Sequence, residues 1–393
     1  MTPTSDSLTA PKYAHGWLRQ TGVMYHTVNI EGYRGFDRFE MTNLGRVNLL
    51  VGRNNSGKTS VLEALHLLSY GADLTALWQI CGRRGERVSE ERERYPGDIE
   101  IDISHLFTGH EMQVGSKFTI GARNEIPPRY VSYEIDLPTK QERAEDKTPP
   151  PPDEPLRPRM TLRIHSSAPL PSRAYSLTRR GGITYDYVET PRRVVQGRRA
   201  QEFVPTSHFI STESLTGDEL IRMWDKVQLT PDEDLVLQAL MSIDPNIQQL
   251  RAVGSRQYYG TRGGFIIKRS DYRMPFPLGS LGDGAWRMLA MAIVVSQCRE
   301  GVLLIDEIDT GLHYTVMADM WRLILTAARN FNVQVFATTH SFDCVHSLSR
   351  LYGEAGHGED GITIHRIEEH RKKAIAFTGE QIRMIAERDI EVR

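Results

Sequence analysis

Cysteine is scarce. Cys81, Cys298 and Cys344 are the only three in 393 residues, and their spacing fits neither a metal site nor a disulfide framework. That excludes a disulfide-stapled scaffold and points to a reducing compartment. No apolar run approaches the length of a bilayer span. The N-terminal stretch, rich in Thr, Ser and Pro, lacks the apolar centre of a signal peptide. The expectation is a cytoplasmic protein with no membrane partner. Charge of one sign is not in excess either. Lys and Arg number 48 against 50 Asp and Glu, so any nucleic-acid footprint has to be local. Internal repeats are absent, and so are sustained heptads, which excludes long coiled-coil arms.

What is present is a phosphate loop in its proper setting. Residues 47–51 (VNLLV) are a short apolar run suited to a buried strand. Gly52, Arg53, Asn54, Asn55, Ser56, Gly57, Lys58 and Thr59 then match G-x-x-x-x-G-K-S/T at every fixed position. Ser60 opens a helical pattern with Val61, Leu62, Leu65 and Leu68 on one face. Glycines let the backbone wrap a polyphosphate with its N–H groups inward, and the helix adds the positive end of its dipole. Lys58 supplies a point charge for the β- and γ-phosphates of ATP, and Thr59 a hydroxyl for Mg²⁺.

A second half-site follows far downstream. Residues 302–305 (VLLI) run into Asp306 and Glu307, so a buried strand delivers both carboxylates to its C-terminal end. Asp306 is placed for the Mg²⁺ shell and Glu307 to polarise an attacking water. Another β-rich run, 333–338, leads to Thr339 and His340, and His340 is placed to reach a γ-phosphate. Between the halves, residues 276–284 form a Gly/Ser turn before an apolar helix over 285–297. That is a second helix N-terminus able to bind an anion. Its presence in a chain with one phosphate loop suggests two copies sharing two nucleotides.

The pattern divides the chain into a loose leader (1–22), an N-terminal half of the nucleotide-binding head (23–210), a helical lobe with strands (211–272) and a C-terminal half (273–393). Strands are expected at 24–30, 39–41, 99–103, 117–120, 130–137, 160–164, 257–259 and 264–269, the middle group forming an antiparallel sheet. Residues 32–36 read as a turn, where Arg34 either touches nucleotide or is a solvated turn residue. Residues 82–95 read as a solvated charged segment, and 142–158, with four consecutive prolines, as a surface loop. Helices are expected over 217–227 and after a capping box at Thr230-Pro231-Asp232-Glu233, with Leu235, Leu237, Leu240 and Met241 facing inward. Residues 173–199 carry seven arginines with interleaved Tyr175, Tyr185 and Tyr187. This is a surface for a nucleic-acid backbone, for an acidic partner, or simply for solvent.

In this order, the elements resemble the ABC-type ATPase heads of the SMC, Rad50, RecF and OLD group, and especially the OLD-like bacterial ATPases of the AAA_15/AAA_21 families. The likeness rests on VNLLVGRNNSGKTSVLEALHLL (47–68), PLGSLGDGAWRMLAMA (277–292), GVLLIDEIDTGLHYTV (301–316), FATTHS (336–341) and the closing IEVR. It implies an α/β fold: a P-loop NTPase head of ABC type with an antiparallel β subdomain and an inserted helical lobe. It further implies Lys58 and Thr59 as Walker A, Asp306 and Glu307 as Walker B, residues 309–313 as the D-loop and His340 as the switch histidine. Ser280, Gly282, Asp283 and Gly284 become the signature loop acting in trans, although this loop is not a plain LSGGQ. The glutamine loop is sought after Ile103, at residues 104–107.

The resemblance implies a head-to-head dimer or larger homo-oligomer that controls a separate nuclease or toxin in bacterial anti-phage defence. The alternative is a RecF-like DNA-repair ATPase, with DNA on residues 173–199. A transporter subunit fits poorly, because the β insertion and helical lobe are too large for one. A scaffold that binds ATP without hydrolysing it stays open.

Overall fold

The computed structural model describes residues 24–88, 100–123, 128–140, 160–167, 172–178, 180–184, 207–211, 215–253, 264–353, 361–388 and 390–392. A six-stranded sheet forms the centre. Its strands lie in the order Ser207–Ile210, Val302–Ile305, Gln334–Thr338, Val47–Val51, Ile362–Arg366 and Ile375–Phe377. The first five are parallel and the last is antiparallel to its neighbour. Val47–Val51 is buried at every position, as expected of a strand covered on both faces.

The period-two alternation of these strands divides the interior. Val47, Leu49, Val51, Leu303, Ile305, Val335 and Ala337 face one core, where the helices Asp283–Gln297 and Met317–Asn330 pack. Leu50, Val302, Leu304 and Phe336 face the other, which holds the helix Lys58–Tyr70. That helix lies between the central sheet and a second sheet. Eleven of its thirteen residues are buried, so the single apolar face expected from the sequence extends nearly all round.

The second sheet has six antiparallel strands in the order Phe36–Met41, Thr27–Tyr33, Lys117–Arg123, Arg129–Asp136, Thr161–Ser166 and Arg173–Ser176. It contains the strands expected at 24–30, 39–41, 117–120, 130–137 and 160–164, each within a few residues, but not the one expected at 99–103: Glu100–Ile101 pairs instead with Arg87–Val88 and Ile183–Thr184 in a separate small sheet. The turn is tighter than expected. Tyr33 already pairs with Phe36, leaving only Arg34 and Gly35 at the tip, with Arg34 at φ 50°.

The lobe contains the helices Gly217–Trp224 and Asp232–Met241 and a small sheet of Ile247–Ala252, Phe265–Arg269 and Phe276–Pro277. Here two expectations need correction. The reciprocal capping box sits at Thr216 and Glu219, on the first helix. In the second helix Leu240 is buried and Leu235 and Leu237 pack half-buried against the core as expected, but Val236 and Ala239 are buried too and Met241 is exposed. The strand Ile247–Ala252, the helix Leu74–Arg83 and the edge strand Ser207–Ile210 were not anticipated. Residues 1–22, 142–158 and 257–259, and most of 173–199, lie outside the described residues. No helix among those described is long and apolar enough to cross a membrane.

Candidate nucleotide-binding site

Parallel strands deliver their following loops to one edge of the sheet, where ligands of α/β folds bind. Val47–Val51 leads into Gly52, Val302–Ile305 into Asp306, and Gln334–Thr338 into Thr339 and His340. The two half-sites, some 250 residues apart in sequence, therefore meet. Thr59 Oγ1 lies 3.1 Å from both carboxylate oxygens of Asp306. Thr338 Oγ1 donates to Asp306 Oδ1 at 2.6 Å and accepts the Glu307 N–H at 2.7 Å. Thr339 Oγ1 donates to Asp309 Oδ1 at 2.5 Å, and His340 Nε2 lies 3.9 Å from Glu307 Oε1. Glu307 itself has φ 46°, the left-handed region that a non-glycine residue occupies only when its surroundings hold it there.

Two features shape the phosphate loop. Gly57 has φ 97°, and a Cβ there would lie 2.4 Å from the Phe36 ring, so only glycine fits between the loop and the β subdomain. Lys58 is buried and its Nζ donates to Gly52 O and Arg53 O, both at 2.8 Å. Burial pushes its ammonium down to about 8, against the opposing pull of Asp306 and Glu307. Arg53, Asn54 and Asn55 are exposed. Ser56 is buried, and its hydroxyl has no hydrogen-bond partner among the described residues. An orphaned donor inside a glycine loop fits a phosphate oxygen. Thr59 and Asp306 are hard oxygen donors side by side, the type of set Mg²⁺ takes together with nucleotide phosphates. Bound there, Mg²⁺ would neutralise charge on the β- and γ-phosphates.

Burial also lowers the His340 imidazole below its usual range, and the Lys58 charge adds to the effect. Its ring is therefore neutral near pH 7 and able to accept or donate one hydrogen bond.

The Gly/Ser turn lies elsewhere on the head. Leu278–Leu281 is a 3₁₀ turn, and Gly282 starts the helix Asp283–Gln297 without a side-chain cap. Ser280, Gly282 and Asp283 are exposed. The neighbour of this turn is the segment after Glu307: a Cβ on Gly284 would lie 3.0 Å from Gly311 O. In cis it therefore packs on the stretch expected to be the D-loop.

Arg34 sits differently from either reading of it. It is buried, with Nε 2.9 Å from Glu63 Oε2 and Nη1 2.7 Å from Glu86 Oε1, and Arg84 Nε also binds Glu63 at 2.7 Å. The structure uses Arg34 to tie the β hairpin to the phosphate-loop helix. The 104–107 segment packs on the same hairpin, with Arg34 N donating to Leu106 O at 2.9 Å. The strand beside that of Asp306 is instead Ser207–Ile210, and the chain leaves the sheet edge at Ser211. Of the arginine-rich stretch, Tyr175 is buried and donates to Ala72 O at 3.0 Å, so it is not an exposed stacking face.

Sequence reasoning missed Arg287. It is buried in the helix after the Gly/Ser turn. Its guanidinium donates to Ser211 O at 2.5 Å, Asp306 O at 2.7 Å and Glu307 O at 3.1 Å. The available signal was one cation in an otherwise apolar helix.

The chain is similar to several known proteins. Over 356 residues the chain is 21% identical to the ATP/GTP phosphatase of Helicobacter pylori, covering 84% of this chain and 89% of that protein. A shorter stretch of 44 residues is 50% identical to the DNA replication and repair protein RecF of Xanthomonas oryzae pv. oryzae, 11% of this chain and 12% of that one. Among solved structures, the SMC head domain from Thermotoga maritima matches at 10% identity over 91% of this chain and 99% of that chain, with a TM-score of 0.40. The Smc head domain derived from Pyrococcus furiosus, bound to the C-terminal domain of ScpA, matches at 11% identity over 93% and 99%, with a TM-score of 0.49. A family model spans residues 47–343, from the phosphate-loop strand past His340. Matched over most of its length, the chain belongs to the family described as "AAA domain, putative AbiEii toxin, Type IV TA system".

Proposed function

We propose that this protein hydrolyses ATP in a site shared between two copies, and that closing and opening of the pair controls a separate effector, a nuclease or toxin, in bacterial anti-phage defence. The observation that carries the hydrolytic part is the cluster of Thr59, Asp306, Thr338 and Glu307 at one sheet edge. In this reading Lys58 and the loop amides hold the phosphates, and Thr59 and Asp306 hold Mg²⁺. Glu307 takes a proton from the attacking water, and neutral His340 orients beside it. The name of the Helicobacter relative, ATP/GTP phosphatase, supports hydrolysis. The family description, with its putative toxin and TA system, supports a defence setting.

The exposed turn at Ser280, Gly282 and Asp283 supports sharing. It presents an uncapped helix N-terminus to the outside, packed on Gly311 and able to face the nucleotide of a second copy.

The test is ATP turnover together with solution mass for the wild type and Glu307→Gln. Glu307→Gln is expected to lower turnover by about 10²- to 10⁴-fold and to leave an ATP-dependent dimer. Wild-type turnover in that variant would remove Glu307 from its role. A mass independent of ATP in both proteins would remove the shared site. The RecF-like alternative predicts salt-sensitive DNA binding that is lost on neutralising Arg173 and Arg180 with the other arginines of the 173–199 stretch.

A further inference from the structure

A cavity of about 940 Å³ lies beside the edge strand Ser207–Ile210. The phosphate-loop helix walls it through His66 and Tyr70, the helix Leu74–Arg83 through Trp78 and Arg83, and the helix Gly217–Trp224 through Glu219 and Arg222. Its volume is that of a small-molecule site. None of the phosphate-loop residues and neither Asp306 nor Glu307 lines it.

Its chemistry is directional. Four cations line it: Arg83, Arg87, Arg222 and Lys226. Arg87, Arg222 and Lys226 are exposed and have no carboxylate in ion-pair contact among the described residues. The two lining carboxylates are occupied elsewhere. Glu219 Oε2 accepts from Thr216 N at 2.9 Å and Thr216 Oγ1 at 2.8 Å, capping its own helix, and Asp225 accepts from Gln228 at 3.3 Å. Arg83 lies over the Phe209 ring at 3.9 Å, and its Nη2 is buried without a hydrogen-bond partner among the described residues. A guanidinium nitrogen left unsatisfied is costly unless something completes it. Phe209, Trp78 and Tyr70 add aromatic faces beside this positive charge.

We propose that this cavity is a second ligand site, distinct from the phosphate loop, for a phosphorylated small molecule carrying a planar ring, of the nucleoside monophosphate class. The cations take the phosphate and the aromatic walls take the ring. The strand that lines the cavity, Ser207–Ile210, pairs directly with Val302–Ile305, the strand that leads to Asp306. Ser211 also lines the cavity and accepts from Arg287, the residue that holds the Asp306 and Glu307 carbonyls.

The test is calorimetric titration of the full-length chain with AMP, GMP, CMP and UMP in turn, and with inorganic phosphate. At least one monophosphate is expected to bind one per chain with Kd between about 1 µM and 1 mM. Arg222→Ala combined with Lys226→Ala removes two exposed charges without touching the core, and is expected to weaken that binding about tenfold or more. Lys58→Ala, which disables the phosphate loop, is expected to leave it unchanged. No binding of any monophosphate overturns the proposal. So does binding that Lys58→Ala abolishes, or that the double variant leaves intact. Inorganic phosphate binding as tightly as the best monophosphate overturns the claim that the ring is recognised.

Discussion

Thr338 Oγ1 donates to Asp306 Oδ1 at 2.6 Å, and the same oxygen receives the Glu307 N–H at 2.7 Å. One fully buried hydroxyl thereby orients both acidic residues. Thr338→Val keeps the shape but leaves the Glu307 N–H without its acceptor and the Asp306 carboxylate with Thr59 alone of its two hydroxyl donors. Hydrogen bonds to charged groups are worth about 1.5–3 kcal/mol. ATP turnover is therefore expected to fall about 10- to 100-fold, and Thr338→Ser to restore most of it. A Val variant with wild-type turnover would reduce Thr338 to a packing residue.

His66 gives the fold a dependence on acid. Gln79 Oε1, 2.9 Å from His66 Nε2, can only accept, so Nε2 carries the proton; Nδ1 then accepts from the Ser207 hydroxyl at 3.1 Å. Burial drives the imidazole down to about 3. The unfolded chain takes up this proton near pH 6.5, while the folded one resists until about 3. Stability from this group is complete above pH 6.5 and is lost as pH falls toward 3. Urea unfolding at pH 7 and pH 5 is expected to show the wild type losing about 2 kcal/mol more than His66→Gln. Equal losses would mean that His66 is charged in the fold.

Arg34 joins Glu63 and Glu86 where neither acid meets much solvent. Removing one partner from a buried pair typically costs about 3–5 kcal/mol, because the remaining charge is stranded. Arg34→Met is expected to lower the melting temperature markedly. Adding Glu63→Gln and Glu86→Gln is expected to recover part of the loss. The opposite pattern, weakened ATP binding at an unchanged melting temperature, would make Arg34 a nucleotide contact instead.

The phosphate loop and the Asp306-Glu307 strand were legible because their chemistry demands fixed residue types at fixed spacing, on strands that are apolar throughout. The antiparallel sheet was legible for a related reason: Phe118, Ile120, Val131, Tyr133, Ile135, Leu162 and Ile164 alternate with polar positions. Ser207–Ile210 was not, since Ser-His-Phe-Ile has no alternation and becomes a strand only by pairing in parallel with Val302–Ile305. Arg34 was misread because its acid partners are 29 and 52 positions away, and no local pattern announces such a pair. In Asp232–Met241 the leucine face was legible, with Leu240 buried and Leu235 and Leu237 packed on the core, but packing on the Asp283–Gln297 helix also buries Val236 and Ala239 and leaves Met241 outside.

Arg287 links the helix that starts at Gly282 to the backbone of Asp306 and Glu307. Burial lowers its guanidinium, against the opposing pull of Asp306, Asp309 and Glu307, and no carboxylate pairs with it directly among the described residues. Its three carbonyl contacts thus fix backbone, including the residue held at φ 46°. Loss of these contacts should loosen Glu307 more than the phosphate loop, which Arg287 does not touch. Arg287→Met is expected to lower ATP turnover about 10- to 100-fold with the dissociation constant for ATP little changed. Arg287→Lys keeps the charge but cannot span three carbonyls, so it should recover only part of the rate. Turnover measured beside equilibrium ATP binding separates the cases. A parallel loss of both would mean that Arg287 supports the whole head rather than positioning Glu307.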